Sequence, residues 1–245
     1  MINNCNIIGL IPARKNSKVL KNKNLQKISG LTLFEITAIS SLRSKLINET
    51  YVSSDSDKIL RLGKKLKIKL FKRKSKYARS TTDANEVVLN FLSVIKKKGE
   101  LKKTIIIYLQ PTSPFRNHIH INNAIKKFIR SKSKSLVSVS EIGEKFYKSL
   151  KIKNNKLISY FNEKYLTQNR QSLNKLYSPN GAIYIFYASD FLKKRKIPIH
   201  NSDYYIMNAY ESLDINSKID LTIARELKNK LLIYKKLLNK NSTSI

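Results

Sequence analysis

The stretch IPARKNSKVLKNKNL (11–25) follows a short apolar segment and carries Arg14, Lys18, Lys23 and Asn24. Arginine can hold two phosphate oxygens in a fork, and lysine adds a point charge. The stretch contains no glycine, although glycine usually lets a phosphate-binding backbone approach its ligand closely. The residues alone therefore leave two readings open, a phosphate-binding loop and a lysine-rich turn.

Two further polar stretches also follow segments typical of strands. Arg73 lies in FKRKSKYA, and QPTSPFR (110–116) ends the most apolar segment of the chain. Two prolines stiffen QPTSPFR, Gln110 can both donate and accept hydrogen bonds, and Arg116 adds charge. We expect these groups to join the first stretch at one edge of a sheet.

A fourth stretch, SLDINSKID (212–220), holds Asp214 and Asp220, which are rare acids in this chain. Carboxylates are suitable ligands for a hard cation such as Mg²⁺. Asp214 could instead be a helix cap, and Gln110 could simply close a turn. Taken together, basic groups that bind phosphates and an acidic pocket for a metal suit nucleotidyl transfer.

Other motifs point to structure more than to chemistry. The run SSDSD (53–57) could be a DxD metal motif, but a helix N-cap, provided by Ser54 or Asp55, fits better because a helical pattern follows at once. His118 and His120 are two apart at a predicted helix start, which does not suit a metal pair. The chain has no GxxxxGK[ST], GxGxxG or HExxH motif.

The composition is strongly basic, with 49 Lys and Arg against 16 Asp and Glu, a formal charge of +33. Such a charge raises the possibility of a nucleic-acid partner. The lysines are spread along the chain and no nucleic-acid-binding motif accompanies them, so we expect no nucleic acid as the main partner. No apolar window is long enough for a membrane span, and the start does not resemble a signal peptide. With a single cysteine, a cytoplasmic protein is the simplest expectation.

Short β-rich segments alternate with longer amphipathic ones, which predicts an α/β fold. Strands are predicted at 6–12, 49–54, 67–71, 103–110, 135–141 and 182–187. Helices are predicted at 32–44, 55–66, 82–98, 118–130 and 217–238. This order predicts a Rossmann-like, mostly parallel sheet with helices on both faces, whose ligand site lies at the carboxyl ends of the strands.

The pattern changes after residue 141. Residues 145–161 alternate around the turn NN, which predicts a hairpin, and 165–181 are polar and irregular. Such a segment suits an arm or a partner contact. We see no repeat and no linker that would mark a second domain, so we expect one domain over 1–245.

At these stretches the sequence resembles the acylneuraminate (sialic-acid-type) cytidylyltransferases. The matching blocks stand in family order over about residues 7–225. They are IPARKNSKVLKNKN, YVSSDSDKI, RKSKYA, QPTSPFR, NRQSLNKLYSPNGAIYIF and SLDINSKIDL.

The resemblance implies a reaction between CTP and a nine-carbon α-keto acid sugar (a nonulosonic acid), giving a CMP-sugar and pyrophosphate. It also implies a nucleotide-diphospho-sugar transferase-like fold, Mg²⁺ dependence, and a homodimer with a β-rich dimerisation and sugar-site insertion at about 145–178. The implied nucleotide-binding residues are Arg14, Ser17, Lys18, Lys23, Asn24, Arg73 and Gln110. The implied substrate-binding residues are Gln110, Arg170 and Asn180, the metal ligands Asp214 and Asn216, and the catalytic residues Arg14, Lys23 and Asp214.

The sequence departs from the family pattern at informative positions. Family glycines fall at Lys15, Asn16 and Val19, and the second aspartate of the DID motif is Asn216. A side chain at Lys15 or Val19 would be strained if the backbone there needs a positive φ. Asparagine can bind Mg²⁺ only through a neutral oxygen. These departures keep open a catalytically impaired nucleotide-binding homologue, and an enzyme for the eight-carbon acid Kdo is a further alternative.

Overall fold

The computed structural model describes residues 5–17, 19–95 and 101–241. The strands are β1 (Asn6–Pro12), β2 (Lys27–Ile28), β3 (Leu31–Thr32), β4 (Glu49–Ser54), β5 (Lys69–Lys72), β6 (Thr104–Tyr108), β7 (Ser135–Ile142), β8 (Leu150–Lys153), β9 (Lys156–Ser159), β10 (Leu176–Tyr187) and β11 (Asp203–Ile206). The helices are α1 (Leu33–Leu42), α2 (Asp57–Lys65), α3 (Ala84–Ile95), α4 (His118–Arg130), α5 (Ala188–Lys194) and α6 (Lys218–Asn241).

The central sheet has seven strands in the order β11-β7-β10-β6-β1-β4-β5. β1 pairs in parallel with β4 and β6, β4 with β5, and β7 with β11. β10 runs antiparallel to both of its neighbours, β6 and β7. The predicted mostly parallel sheet is confirmed. Its carboxyl-end edge gathers the segments that follow β1, β4, β5 and β6.

The core has a layer on each face of the sheet, because successive side chains of a strand point to opposite faces. Ile7 and Ile11 of β1 pack in one layer with Phe34 of α1 and Phe128 of α4. Ile8 and Leu10 of β1 pack in the other layer with side chains of α3 and α5. Helices therefore cover both faces, as the periodicity predicts.

Several predicted boundaries need correction. β10 begins at Leu176 and not at 182, so part of the segment predicted to be irregular is strand. α5 and β11 were not predicted. α2 begins at Asp57. Its N-cap is Ser56 and not the predicted Ser54 or Asp55, because the Ser56 hydroxyl accepts a hydrogen bond from the Ile59 N–H at 3.4 Å. The helix predicted at 82–98 is present as α3 up to Ile95, and its predicted end lies outside the described residues.

The predicted hairpin is present as the antiparallel pair β8 and β9. It forms a sheet of its own, separate from the central one. Its side chains include Ile152 and Leu157, which are 78% and 67% exposed. This hairpin and the aromatic residues that flank it form an arm with an uncovered apolar surface.

Candidate active site

A cleft of about 370 Å³ opens at the carboxyl-end edge of the sheet, where the segments after β1, β5 and β6 meet the start of α3 and the loop before α6. It is lined by Pro12, Arg14, Lys23, Asn24, Arg73, Ser80, Thr82, Asp83, Ala84, Val87, Tyr108, Gln110, Pro111, Thr112, Asp214 and Asn216. Residues predicted from four separate stretches therefore share one cavity.

Hydrogen bonds from side chains hold the loop after β1 in shape. The Asn24 amide donates to the Arg14 carbonyl at 2.9 Å, and the Lys15 N–H donates to Asp55 Oδ1 at 2.7 Å. Arg14 Nη1 donates to the Arg79 carbonyl at 3.0 Å, which turns the guanidinium toward the cleft wall. Asp55, considered above as a helix cap or a metal ligand, therefore anchors this loop.

The loop does not need glycine at Lys15 or Asn16 for backbone conformation. Among the described residues, those with positive φ include Asn22, at 52°, but neither Lys15 nor Asn16. Asparagine tolerates the left-handed region well. The Val19 side chain is 74% exposed, so it points away from the packed structure. The expected strain at Lys15 is therefore absent.

Arg73 is a buried cation in the cleft wall. Its Nε donates to Ser53 Oγ at 3.1 Å and its Nη2 to the Ser53 carbonyl at 2.7 Å, which fixes the guanidinium. Burial lowers the pKa of Arg73, and burial raises the pKa of the Tyr108 phenol nearby. A fixed, poorly hydrated guanidinium at this position suits an anionic ligand.

Lys23, Asn216 and Asp214 form a hydrogen-bonded chain across the cleft. Lys23 Nζ donates to Asn216 Oδ1 at 3.1 Å, and Asn216 Nδ2 donates to Asp214 Oδ2 at 2.7 Å. Burial lowers the pKa of Lys23, with the Asp214 carboxylate acting in the opposite direction. The ammonium group is thus held between the acidic and the basic sides of the site.

Asp214 is placed by the backbone next to it. The Ile215 N–H donates to the Thr112 carbonyl at 2.9 Å, which ties the loop before α6 to the loop after β6. Asp214 Oδ1 is buried and has no hydrogen-bond partner among the described residues. A buried carboxylate oxygen without a hydrogen-bond partner destabilises the fold unless a ligand or a metal ion binds it.

Asp220, an expected metal ligand, has a different role. Its Oδ2 accepts the backbone N–H groups of Asn216 at 2.9 Å and Ser217 at 2.7 Å. These hydrogen bonds, the Asn216 N–H first, lower the pKa of Asp220. Asp220 therefore caps the start of α6 and supports the loop before α6, and it does not line the cleft.

The donor set of the cleft fits a divalent cation that is shared with a phosphate ligand. Mg²⁺ is commonly held by one or two carboxylates together with substrate phosphates and water. Asp214 offers an unpartnered oxygen and Asn216 an amide oxygen. Within 5–17, 19–95 and 101–241, no group of three His, Cys, Asp or Glu side chains could enclose a metal without such a ligand.

Gln110 and Gly181 meet at the side of the cleft next to β10. Gly181 has φ +75°, and a Cβ there would lie 2.7 Å from Gln110 Oε1. The positive φ favours glycine here, and a side chain at this position would displace the Gln110 amide. Neighbouring Asn180 is buried, and its amide is bonded to other protein groups.

Among the described residues, Ser17, Arg170 and Asn180 were predicted to bind ligand but do not line the cleft. Arg170 is exposed at a short 3-10 turn of the arm, and Ser17 is partly buried beside the opening loop. Lys18 lies outside the described residues. Their predicted ligand contacts therefore stay predictions.

Arg116 was expected to add a positive charge to the site from the loop after β6, but its side chain lies inside the protein. It is 1% exposed and does not face the cleft. Its Nη1 donates to the carbonyls of Gln110 and Ala182, both at 3.1 Å, and its Nη2 to Thr37 Oγ1 at 2.8 Å. Burial lowers the pKa of Arg116 to about 9. Arg116 is thus an internal clamp between α1, β10 and the loop.

Sequence reasoning missed the wall formed by the start of α3. Asp83 and Thr82 line the cleft there. Asp83 and Glu86 form reciprocal hydrogen bonds, with the Glu86 N–H donating to Asp83 Oδ1 at 2.8 Å and the Asp83 N–H to Glu86 Oε2 at 3.1 Å. The capping pattern D-x-x-E was visible in the sequence, but it indicates a helix start and not a cleft wall.

The family model described as "Cytidylyltransferase" matches residues 8–240. The N-acylneuraminate cytidylyltransferase of Escherichia coli O18:K1:H7 is 29% identical over 91% of the chain and 52% of its own length, so the chain spans about half of that relative. The CMP-N,N'-diacetyllegionaminic acid synthase of Legionella pneumophila is 29% identical over 90% of the chain and 95% of its own length.

Solved structures share the fold. A CMP:2-keto-3-deoxy-manno-octonic acid synthetase complexed with CTP superposes with a TM-score of 0.68, at 13% identity, over 92% of this chain and 99% of that one. None of the helices in the described residues is both long and apolar enough to span a bilayer.

Proposed function

Since the chain belongs to the cytidylyltransferase family, we propose that it transfers CMP from CTP to a nine-carbon α-keto acid sugar, giving a CMP-sugar and pyrophosphate. The observation that carries the proposal is the single cleft in which Arg14, Lys23 and Arg73 face Asp214 and Asn216. Relatives named for acylneuraminic and legionaminic acids support a sugar of this class.

The basic wall of the cleft binds the triphosphate. Arg73 is held rigid by Ser53, so it binds an anion without losing further side-chain entropy. Arg14 and Lys23 come from the opening loop and reach the same space. The +33 charge of the chain adds a long-range field that attracts CTP and the acidic sugar.

The acidic side of the cleft would hold Mg²⁺ through Asp214 and Asn216. When bound, Mg²⁺ neutralises phosphate charge and acts as a Lewis acid during attack at the α-phosphate. Lys23 Nζ donates a hydrogen bond to Asn216 Oδ1. Its ammonium group can turn to a phosphate oxygen when the nucleotide enters, and so balance the charge of the leaving pyrophosphate.

The sugar binds beside Gln110, with Arg170 supplied by the arm. Gln110 offers a donor and an acceptor at the mouth of the cleft, next to the glycine that gives it room. Arg170 is exposed on the arm, as are Ile152 and Leu157 of the hairpin. A second copy of the chain that covers this apolar surface would form a homodimer. The reaction takes place in the cytoplasm, where CTP is available.

A substrate panel tests the proposal. The purified protein is incubated with CTP, Mg²⁺ and, in turn, neuraminic, legionaminic, pseudaminic and Kdo-type acids, and pyrophosphate release is measured. We expect rapid release with at least one nine-carbon acid, and little with UTP in place of CTP. Absence of release with every nine-carbon acid, from folded protein, would refute the proposal.

A further inference from the structure

The backbone of β10 departs from regular pairing beside the cleft. Its register against β7 shifts, and Gly181 has φ +75° within the irregular part. Backbone donors at such a bulge need partners from side chains. The Ala182 N–H donates to Asn180 Oδ1 at 3.1 Å, and the Ile183 N–H donates to Ser138 Oγ at 2.8 Å. Asn180 and Ser138 thus replace the missing ladder bonds.

The orientation of the Asn180 amide is fixed by its partners. Its Oδ1 accepts hydrogen bonds from the Ala182 N–H and from the Ser138 hydroxyl, which is 2.6 Å away. The Ile183 carbonyl is a second acceptor for the same hydroxyl, but it is more distant, at 3.1 Å. Two donors saturate the amide oxygen. The amide nitrogen must therefore point the other way, and it donates to Ser212 Oγ at 2.8 Å.

Ser212 lies two residues before Asp214. On the other side of Asp214, the Ile215 N–H is tied to the Thr112 carbonyl at 2.9 Å. Hydrogen bonds therefore hold the chain on both sides of Asp214, and we call these bonds tethers. One joins Ser212 to Asn180 of β10, and the other joins Ile215 to the loop after β6. Together with the hydrogen bond that Asn216 Nδ2 donates to Asp214 Oδ2 at 2.7 Å, these tethers determine the direction of Oδ1, which has no partner among the described residues.

We propose that Asn180 is a positioning residue, which sets the orientation of Asp214 through Ser212 instead of binding the sugar itself. The inference rests on the proposed function, because it assumes that Asp214 serves nucleotidyl transfer. Asn180 is only 7% exposed, and both ends of its amide are engaged inside the protein. A displacement of about 1 Å in a catalytic group can cost about 100-fold in rate.

Substitutions at Ser212 test whether Asn180 positions Asp214, without altering Asn180 or the residues proposed to bind the sugar. Ser212→Ala removes the acceptor of the Asn180 amide, and Ser212→Thr keeps a hydroxyl there. Ser202→Ala, whose hydroxyl donates only to the nearby carbonyls of Pro198 and Ile199, controls for the loss of a serine hydroxyl. For each variant we would measure kcat, the KM for the sugar, and Mn²⁺ affinity in the presence of CTP by electron paramagnetic resonance.

We expect Ser212→Ala to lower kcat by about 10- to 100-fold and to weaken Mn²⁺ binding by a similar factor, with the sugar KM changed less than about twofold. Ser212→Thr and Ser202→Ala should behave like the wild type. Asn180→Ala should lower kcat and Mn²⁺ affinity at least as much as Ser212→Ala, because it also removes the acceptor of the Ala182 N–H. The double variant should be no worse than Asn180→Ala, because both changes break the same tether to Ser212.

Several results would overturn the inference. One is a raised sugar KM in Asn180→Ala with normal behaviour of Ser212→Ala, which would mean direct contact with the sugar. Another is a lower melting temperature of Ser212→Ala with unchanged kcat and Mn²⁺ affinity, which would mean a purely structural role.

The Mn²⁺ measurement needs no sugar, so it separates the two proposals. If the wild type turns over no sugar but Ser212→Ala still loses Mn²⁺ affinity, the proposed function alone fails. If the wild type neither turns over nor binds Mn²⁺ with CTP, both fail.

Discussion

Asn216→Asp, which restores the family acid, is expected to have opposite effects on stability without and with metal. In the wild type, Asn216 Nδ2 donates to Asp214 Oδ2 at 2.7 Å, and Asn216 Oδ1 accepts from Lys23 Nζ at 3.1 Å. An aspartate keeps the acceptor for Lys23 but replaces the donor by a second carboxylate. The metal-free variant therefore places two like charges side by side.

The magnitude follows from the distance. Two unit charges at the 2.7 Å of the present hydrogen bond repel by about 1.5 kcal/mol in water and by about 6 kcal/mol at an effective dielectric constant of about 20. Asn216 is exposed and Lys23 stays close, so the lower value applies. For a chain of 245 residues, about 1.5 kcal/mol corresponds to a melting temperature lower by about 3–6 °C.

A divalent cation reverses the sign, because the second carboxylate then becomes a charged ligand. We expect Mg²⁺ affinity with CTP to rise at least about tenfold, which is about 1.4 kcal/mol. The assay is thermal unfolding in EDTA and in Mg²⁺ with CTP, with Asn201→Asp as the control for one added negative charge at an exposed site. Equal melting temperatures of variant and wild type in EDTA, or no gain from Mg²⁺ and CTP, would refute the reasoning.

Three further substitutions test the site and its frame. Lys23→Ala should lower kcat at least about 100-fold with little change in melting temperature, measured by pyrophosphate release and circular dichroism; a near-normal rate would contradict its role. Gly181→Ala should destabilise the protein by about 1–3 kcal/mol in urea unfolding, because a side chain is strained at φ +75°, and raise the sugar KM, because its Cβ, 2.7 Å from Gln110 Oε1, would displace that oxygen; unchanged stability would contradict the strain. Arg116→Ala should cost about 3 kcal/mol or more in the same unfolding assay, because the buried Ala182 carbonyl and Thr37 hydroxyl and the half-buried Gln110 carbonyl each lose a donor; a change below about 1 kcal/mol would contradict the clamp.

Much of the architecture could be predicted because local pattern and tertiary role agree. α4 begins at His118 and ends at Arg130, as predicted, since its apolar positions repeat at helical spacing and Asn117 caps it. β1 and β4 also have their predicted bounds. β1 is a nearly continuous apolar run, which is typical of a buried strand, and the centre of β4 holds Thr, Tyr and Val, which favour strands.

β10 was predicted to begin too late because its first half contains Pro179 and Asn180-Gly181, which are typical of a turn. In the structure these residues form a bulge within a strand, and the side chains of Asn180 and Ser138 supply the hydrogen bonds that regular pairing would provide. The partner Ser138 is distant in sequence, so no local pattern could reveal this arrangement.

The same limit applies at the site. Arg14, Lys23, Arg73 and Asp214 could be identified by residue type and by position after strands or before a helix. The burial of Arg116 depends on acceptors from α1 and β10, which only the folded chain brings together. Local sequence therefore indicated a charge in the loop, where the structure has an internal clamp.

The most direct test of the central claim follows the α-phosphate of CTP. CTP labelled at the α-phosphate is incubated with the protein, Mg²⁺ and the nine-carbon acid that the panel selects, and the products are separated. The account predicts that the label appears in the CMP-sugar, with one unlabelled pyrophosphate released for each transfer. Label found only in free CMP or CDP, or left in CTP, would contradict it.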